Sequence, residues 1–194
     1  MNLLDKVVNI LNNRLFTKQL TDGAFSLGNI YGLATLSVPT TDSPQRPWAY
    51  WNNESISVDL NDSRNVTLYH RVTDVTFNSM NIGFGDSDGY VLATFAMTMI
   101  FFAKRDVVGY SQEDLILKTS AALNYTLTSG DLSTSGLGSV RASVKRANND
   151  SLRVFKGEYG ANADYPLGFN TCYFGIDYQI EITATNDCLA CTDC

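Results

Sequence analysis

Residues 90–103 read YVLATFAMTMIFFA, fourteen positions without a charged side chain, and the charged triplet at 104–106 ends the run abruptly. Fourteen residues are too few to cross a bilayer as a helix, which takes about 20. Large apolar side chains share one parity and threonines share the other: Val91, Phe95, Met97, Met99 and Phe101 against Thr94 and Thr98. Because threonine and aromatic residues suit a pleated, half-buried surface, we predict the central strand of a sheet. A buried helix is the alternative, since periodicity does not separate the two for short apolar runs.

Period-two alternation predicts further strands on both sides of this run. Ser55–Leu60 is one, and Val66–Phe77 is a second whose apolar residues change parity, which predicts a bulge near Asp74. A hairpin at Gly83–Gly89 then leads into the central strand. Cys172–Thr183 alternates most regularly and is predicted to be apolar on one face only.

Two amphipathic helices are predicted. The first places Leu3, Leu4, Val7, Val8, Leu11 and Leu15 on one face, with Asp5, Asn9, Asn12 and Asn13 opposite. We expect it to pack on the chain's own sheet, because its polar face has few Lys or Arg for docking on an anionic membrane, the alternative. The second begins at Ser111, whose hydroxyl is a helix cap, and runs to about Leu123.

Glycine, proline and polar residues mark the remaining segments as excursions. Residues 21–53 are predicted to be an extended arm with one strand near 31–38. Residues 125–168 are predicted to be a projecting insertion whose hairpin pairs Ser139–Ala147 with Leu152–Lys156. The whole is predicted to be one α+β domain over residues 1–184, mostly antiparallel sheet flanked by an N-terminal and a central helix, followed by a Cys-rich tail at 185–194.

Composition limits the class of protein. The chain has 194 residues, of which 44% are hydrophobic, and this disfavours disorder. A net charge of −6 and a pI near 4.6 disfavour a surface that grips nucleic acid, because phosphate binding relies on clustered Lys and Arg. The first residues, MNLLDKVVNILNNRL, lack the uncharged core of a signal peptide, so we expect a cytoplasmic site of synthesis.

Catalytic chemistry has little support in the sequence. His70 is the single histidine, and neither a G-x-S-x-G elbow nor a comparable signature accompanies any serine or cysteine. We therefore expect no enzyme and no catalytic residue.

The cysteines form a candidate metal site. Cys188, Cys191 and Cys194 have the C-x2-C spacing that lets thiolates reach one tetrahedral zinc, and Cys172 or His70 is the candidate fourth ligand. A structural zinc site usually pairs two such knuckles, whereas here the third Cys is residue 194 and ends the sequence. We favour a reduced or interface tail and no cofactor, with zinc as the competing hypothesis.

Two groups of residues are candidate interfaces. Trp48, Tyr50 and Trp51 are either core or subunit-interface anchors, which we favour, or a stacking platform for a sugar, base or peptide. Arg141, Lys145 and Arg146 concentrate positive charge that either touches nucleic acid or an acidic neighbour, or lies on a solvated ribbon.

The order of these elements resembles the tail-terminator and tail-completion (neck) proteins of tailed bacteriophages. The likeness lies in FFAKRDVVGYSQEDLILK (101–118), which passes from strand to helix, and in FGIDYQIEI (174–182), which closes the sheet. It covers residues 2–15 and 55–184 and is greatest with the long-loop versions in large podovirus-like phages of gut bacteria. The arm at 21–53 and the Cys-rich tail depart from the family plan.

The resemblance implies a structural virion protein assembled in the host cytoplasm. Its copies would form a six- or twelve-fold ring in the neck, joined by sheet edges or arms, in contact with portal, neck and tail proteins. DNA would pass through the lumen without specific binding, and no membrane is involved. A glycan- or peptide-binding module that uses Trp48 and Trp51, and a zinc-clipped adaptor, are the alternative functions.

Overall fold

One seven-stranded sheet organises the protein. The computed structural model describes residues 3–15, 29–41, 44–51, 54–60, 66–80, 90–128, 140–166 and 171–185. In these ranges the strands are β1 (Asn29–Leu36), β2 (Pro47–Trp51), β3 (Glu54–Ser57), β4 (Val66–Met80), β5 (Tyr90–Lys104), β6 (Val140–Asn148) and β7 (Thr171–Thr185). The helices are α1 (Leu3–Arg14), a single turn α2 (Arg105–Val108), α3 (Gln112–Thr128) and α4 (Ser151–Tyr159). The fold is therefore α+β, as predicted.

The charge-free run is a strand in the interior of the sheet, as predicted, although β4 and not β5 is the middle strand of the seven. The strand order is β3-β2-β1-β4-β5-β7-β6, and β5 pairs antiparallel with both β4 and β7 along nearly its whole length. Of the described strand pairs, β1 with β4 is the one that runs parallel. The β4–β5 register shifts between Val72 and Asp74, which confirms the predicted bulge and explains the change of parity in β4.

The first hydrophobic core lies between the sheet and the helices α1 and α3. Its buried members include Val7, Val8 and Leu11 of α1, Leu115 and Leu123 of α3, Met97, Met99 and Phe101 of β5, and Phe174, Ile176 and Ile180 of β7. Phe101 and Phe174 stack with ring centroids 4.9 Å apart. The predicted packing of α1 on the chain's own sheet is confirmed. Asn12, predicted on the exposed face of α1, is buried instead.

A second core lies on the other face of the sheet, beneath α4. Its buried members include Tyr69, Ile100, Phe102, Phe155, Tyr159 and Tyr173. The prediction that β7 is apolar on one face only is therefore wrong at Tyr173, which is buried on the opposite face from Cys172 and Phe174. The part of the sheet beneath α4 is therefore covered on both faces.

The predicted hairpin partner of β6 is a helix. Residues 151–159 form α4, and the Asp150 side chain accepts a hydrogen bond from the Arg153 backbone N–H at 3.1 Å. Val154, Phe155, Glu158 and Tyr159 form its buried face, with helical spacing. The strand prediction over 152–156 was wrong because five residues do not distinguish the two periods.

The predicted arm belongs to the sheet. Within residues 21–53, both β1 and β2 are strands of the sheet, where one strand was expected. The described part of this segment is therefore not a free arm. Residues 16–28 lie outside the described part of the chain, as do the predicted 83–89 hairpin and the tail at 186–194. The strand predicted over 55–60 ends at Ser57, and α3 extends five residues beyond Leu123.

The Ser111 cap of α3 is confirmed and supports a prediction about stability. Its Oγ accepts from the Asp114 backbone N–H at 3.1 Å and donates to Asp114 Oδ2 at 3.0 Å. Ser111→Ala is expected to lower the free energy of unfolding by about 1 kcal/mol, because one helix N–H loses its acceptor. Urea unfolding measures this, and Ser111→Asp, which restores an acceptor, is the matched control. Equal stability of wild type and Ser111→Ala would contradict the cap's contribution.

Candidate functional site

Two strands of the sheet have an open outer edge in the described residues: β4 over part of its length, and the terminal strand β6. β1 pairs with β4 at Thr67, Leu68 and His70, and within the described residues no strand pairs with the outer side of β4 from Arg71 to Met80. At the other side β6 is the last strand of the sheet. The distal ribbon is the four-stranded part of the sheet that consists of β4 from Arg71 to Met80 and the paired segments of β5, β7 and β6. Unpaired edges are templates for adding another strand.

An exposed apolar strip lies on the helix side of the distal ribbon. Val75 pairs with Phe95 and Phe77 with Ala93, so the two β4 side chains share the face of the first core. Val75 is 36% exposed and Phe77 is 65% exposed, whereas Ala93 is buried. The bulge at Val72/Asp74 is what turns this pair onto the helix side.

The opposite face of the distal ribbon is polar. Arg71, Thr98, Asp177 and Arg146 are successive cross-strand partners and form one row across the four strands. Arg146 Nε and Nη2 donate to Asp177 Oδ2 at 3.0 and 2.8 Å, and Thr98 Oγ1 donates to Asp177 Oδ1 at 2.8 Å. Both oxygens of Asp177 are therefore occupied. Thr98, Asp177 and Arg146 of this row border a cavity of about 390 Å³ that Thr73, Lys145 and Gln179 also line.

The predicted basic residues lie on the edge strand β6. Arg141, Lys145 and Arg146 are all exposed, and Arg141 is paired across the strands with Glu181. The β6–β7 register shifts between Val144 and Arg146, so Lys145 is the extra residue of a bulge. The structure therefore brings the three bases together on one sheet edge, although they do not lie on a projecting hairpin.

Of the three aromatic residues predicted at an interface, the structure describes the side chain of Trp48. Trp48 lies in β2 opposite Thr35 and Ser57 and is 40% exposed. Tyr50 and Trp51 belong to the same strand, and their side chains lie outside the described part of the structure.

His70 is fully buried in a polar network that sequence analysis did not foresee. Its Nδ1 lies 2.6 Å from the Tyr178 hydroxyl and its Nε2 lies 2.7 Å from Asn12 Oδ1. Because the Asn12 amide group donates to the Tyr31 carbonyl at 3.0 Å, Oδ1 is the acceptor, so Nε2 carries the proton and Nδ1 accepts from Tyr178. Burial lowers the pKa of His70 to about 3, and the ring is neutral at pH 7. The network connects α1, β1, β4 and β7, and no nitrogen of His70 is left for a substrate or metal.

A buried carboxylate under α4 was also missed. Glu158 is 3% exposed, and its Oε1 lies 3.1 Å from Arg71 Nη2 while its Oε2 accepts from the Tyr69 hydroxyl at 3.1 Å. Burial raises the pKa of Glu158, and Arg71 and Tyr69 oppose that rise. The Tyr69 hydroxyl lies 3.4 Å from that of Tyr173, and burial raises the pKa of both phenols. This cluster attaches α4 to the sheet. A helical period at 151–159 is the signal that would have placed Glu158 on a buried face.

The candidate zinc ligands are separated where the structure describes them. Cys172 is buried in the first core, where burial raises the pKa of its thiol to about 11. It pairs with Ala103 and His70 pairs with Met99, four residues away along β5 or about 13 Å. Cys188, Cys191 and Cys194 lie outside the described residues. Among the residues that are described, no group of three or more His, Cys, Asp or Glu side chains is arranged to hold a metal.

A second cavity, of about 460 Å³, lies at the C-terminal end of α4. Phe155, Tyr159 and Leu60 contribute apolar surface to it, and Arg46 and Asp59, which form an ion pair at 3.1 Å, contribute charge. Gln45, which also lines this cavity and precedes β2, donates to the Gly157 and Glu158 carbonyls at 2.7 and 3.2 Å. Its side-chain amide therefore caps the C-terminal end of α4.

None of the described helices is long and apolar enough to span a membrane.

Compared with models of known protein families and with curated proteins, the sequence matches none.

Proposed function

We propose that this chain is a structural protein of a tailed-phage particle, one subunit of a ring in the neck that connects head and tail around the DNA channel. The observation that carries the proposal is the distal ribbon, a four-stranded sheet open at both outer edges in the described residues. Copies of such a unit are able to add to one another along the parts of these edges outside the bulges at Val72/Asp74 and Val144/Arg146. The sequence resemblance supplies the phage context.

The polar face of the distal ribbon suits a channel for DNA. Asp177 and Glu181 of β7 lie opposite Arg146 and Arg141 of β6, and Thr98 and Thr94 of β5 lie on the other side of the two acids. Carboxylates that lie beside the bases weaken the attraction of this surface for phosphates, compared with a cluster of Lys and Arg alone. In this proposal the portal and the adjoining neck and tail proteins are the partners, and the chain has no catalytic role.

Purified particles of the phage that encodes the chain test the proposal. Quantitative mass spectrometry of gradient-purified virions is expected to detect the chain in six or twelve copies for each portal ring. A negative-stain map of particles labelled with an antibody to the chain is expected to place it between head and tail. Absence of the chain from purified virions would exclude the proposal.

One observation favours a second function, a glycan- or peptide-binding module. Trp48 exposes 40% of its surface on β2, and exposed aromatic rings are common stacking platforms. Glycan-array binding that Trp48→Ala abolishes would favour the module over the ring.

A further inference from the structure

We infer that copies of this chain associate head to tail, with the outer edge of β4 in one copy pairing antiparallel with β6 of the next. The inference deepens the proposed function by naming the two surfaces that meet, and it rests on that proposal only for the presence of many copies.

The two edges overlap along the ribbon and change register at nearly the same level. β4 shifts register between Val72 and Asp74, and β6 shifts between Val144 and Arg146, at nearly the same level of the sheet, since both shifts adjoin Tyr178 of β7 through their partners. At the bulge of β4 the Val75 N–H is bonded to Asp74 Oδ1 at 2.8 Å. Residues 74–77 of β4 and 140–143 of β6 therefore lie at the same levels of the ribbon, those of β7 residues 179–182.

Strand direction fits this arrangement. Each neighbouring pair in the order β4-β5-β7-β6 is antiparallel, so β4 and β6 run in opposite directions. A head-to-tail repeat that keeps the direction of the strands places β6 of one copy antiparallel to β4 of its neighbour. Antiparallel ladders are the more stable kind, and the sheet then continues from copy to copy without a reversal.

Charge and apolar surface are complementary between the edges. Described β6 contains Arg141, Lys145 and Arg146 and no acid, whereas the β4 edge beyond Arg71, which is paired with Glu158, has one charged residue, the exposed Asp74. Pairing two β6 edges would oppose like charges. Helix α3 packs mainly over β6, and its outer residues Leu117 and Tyr125 are exposed. A β4 strand docked beside β6 brings Val75 and Phe77 under the neighbour's α3, which covers apolar surface on both copies.

Sedimentation equilibrium of the full chain tests the β4 surface. The wild type is expected to self-associate at millimolar or lower subunit concentration, and Phe77→Lys is expected to raise the dissociation constant at least about tenfold. Leu152→Lys, at an exposed leucine of α4, is the matched control and is expected to leave the dissociation constant unchanged. Unchanged thermal unfolding of both variants checks that they are folded. A wild type that stays monomeric at every concentration would overturn the inference.

A mixing experiment tests the pairing itself. The double variant Arg141→Glu/Lys145→Glu is expected to lose self-association as Phe77→Lys does, yet an equimolar mixture of the two is expected to form a dimer that grows no further. Each partner then supplies one intact edge. A two-fold pairing of β4 with β4 predicts the opposite: the double variant dimerises alone and the mixture forms no mixed dimer. Head-to-tail association by a chain absent from virions would refute the neck function and leave this inference intact.

Discussion

His70→Leu is expected to lower the free energy of unfolding at pH 7 by about 3 kcal/mol. The substitution leaves the Tyr178 hydroxyl and the Asn12 carbonyl oxygen buried without their partner, and each unsatisfied buried group costs about 1–3 kcal/mol. Urea unfolding followed by circular dichroism measures the loss. Tyr178→Phe, which removes one hydroxyl from the same network, is the matched variant and is expected to cost less.

The cost of His70→Leu is also expected to depend on pH. Burial lowers the pKa of His70 to about 3, whereas an unfolded histidine titrates near 6.5. As pH falls through this window the unfolded chain takes up a proton that the folded chain does not, so wild-type stability falls by up to about 1.4 kcal/mol per pH unit. Leucine does not titrate, and the cost of His70→Leu is therefore expected to be about 2 kcal/mol smaller at pH 5 than at pH 7. A cost that is the same at both pH values would mean that His70 keeps an ordinary pKa in the folded protein.

Arg71→Met is expected to destabilise the protein by about 3 kcal/mol at pH 7, because it leaves the Glu158 carboxylate buried without its cation. Burial already raises the pKa of Glu158, and removing Arg71, which lowers it, raises it further. A raised folded-state pKa means that the folded variant binds a proton more tightly than the unfolded chain does. The loss relative to wild type is therefore expected to shrink as pH falls through that raised pKa.

The control for this prediction is Arg71→Met combined with Glu158→Gln. Glutamine carries no charge and keeps an acceptor for the Tyr69 hydroxyl, so most of the lost stability is expected to return. Unfolding free energies of the single and double variants, measured in the same urea titration, decide the matter. A double variant no more stable than Arg71→Met would show that the unpaired charge is not the cause of the loss.

Local pattern was sufficient wherever a residue's environment follows from its near neighbours. The uncharged run at 90–103, the parity change near Asp74 and the Ser111 cap each predicted the element that the structure contains, because strand period, bulge and cap are set by residues a few positions apart. On the polar face of α1 the local pattern gave a wrong prediction. Asn12 has the spacing of an exposed residue, yet a distant histidine in β4 makes its burial favourable.

The sequence by itself determined the strand at 90–103, the two principal helices and an α+β class, since periodicity over ten or more residues records which side of an element is apolar. Only the tertiary structure decided that α4 covers a second face of the sheet, that β1 joins β4 in parallel, and that Glu158 meets Arg71. The outer edges of β4 and β6 are likewise products of strand order. Each depends on which remote segments come to lie side by side, and a one-dimensional pattern does not specify the neighbour across a sheet.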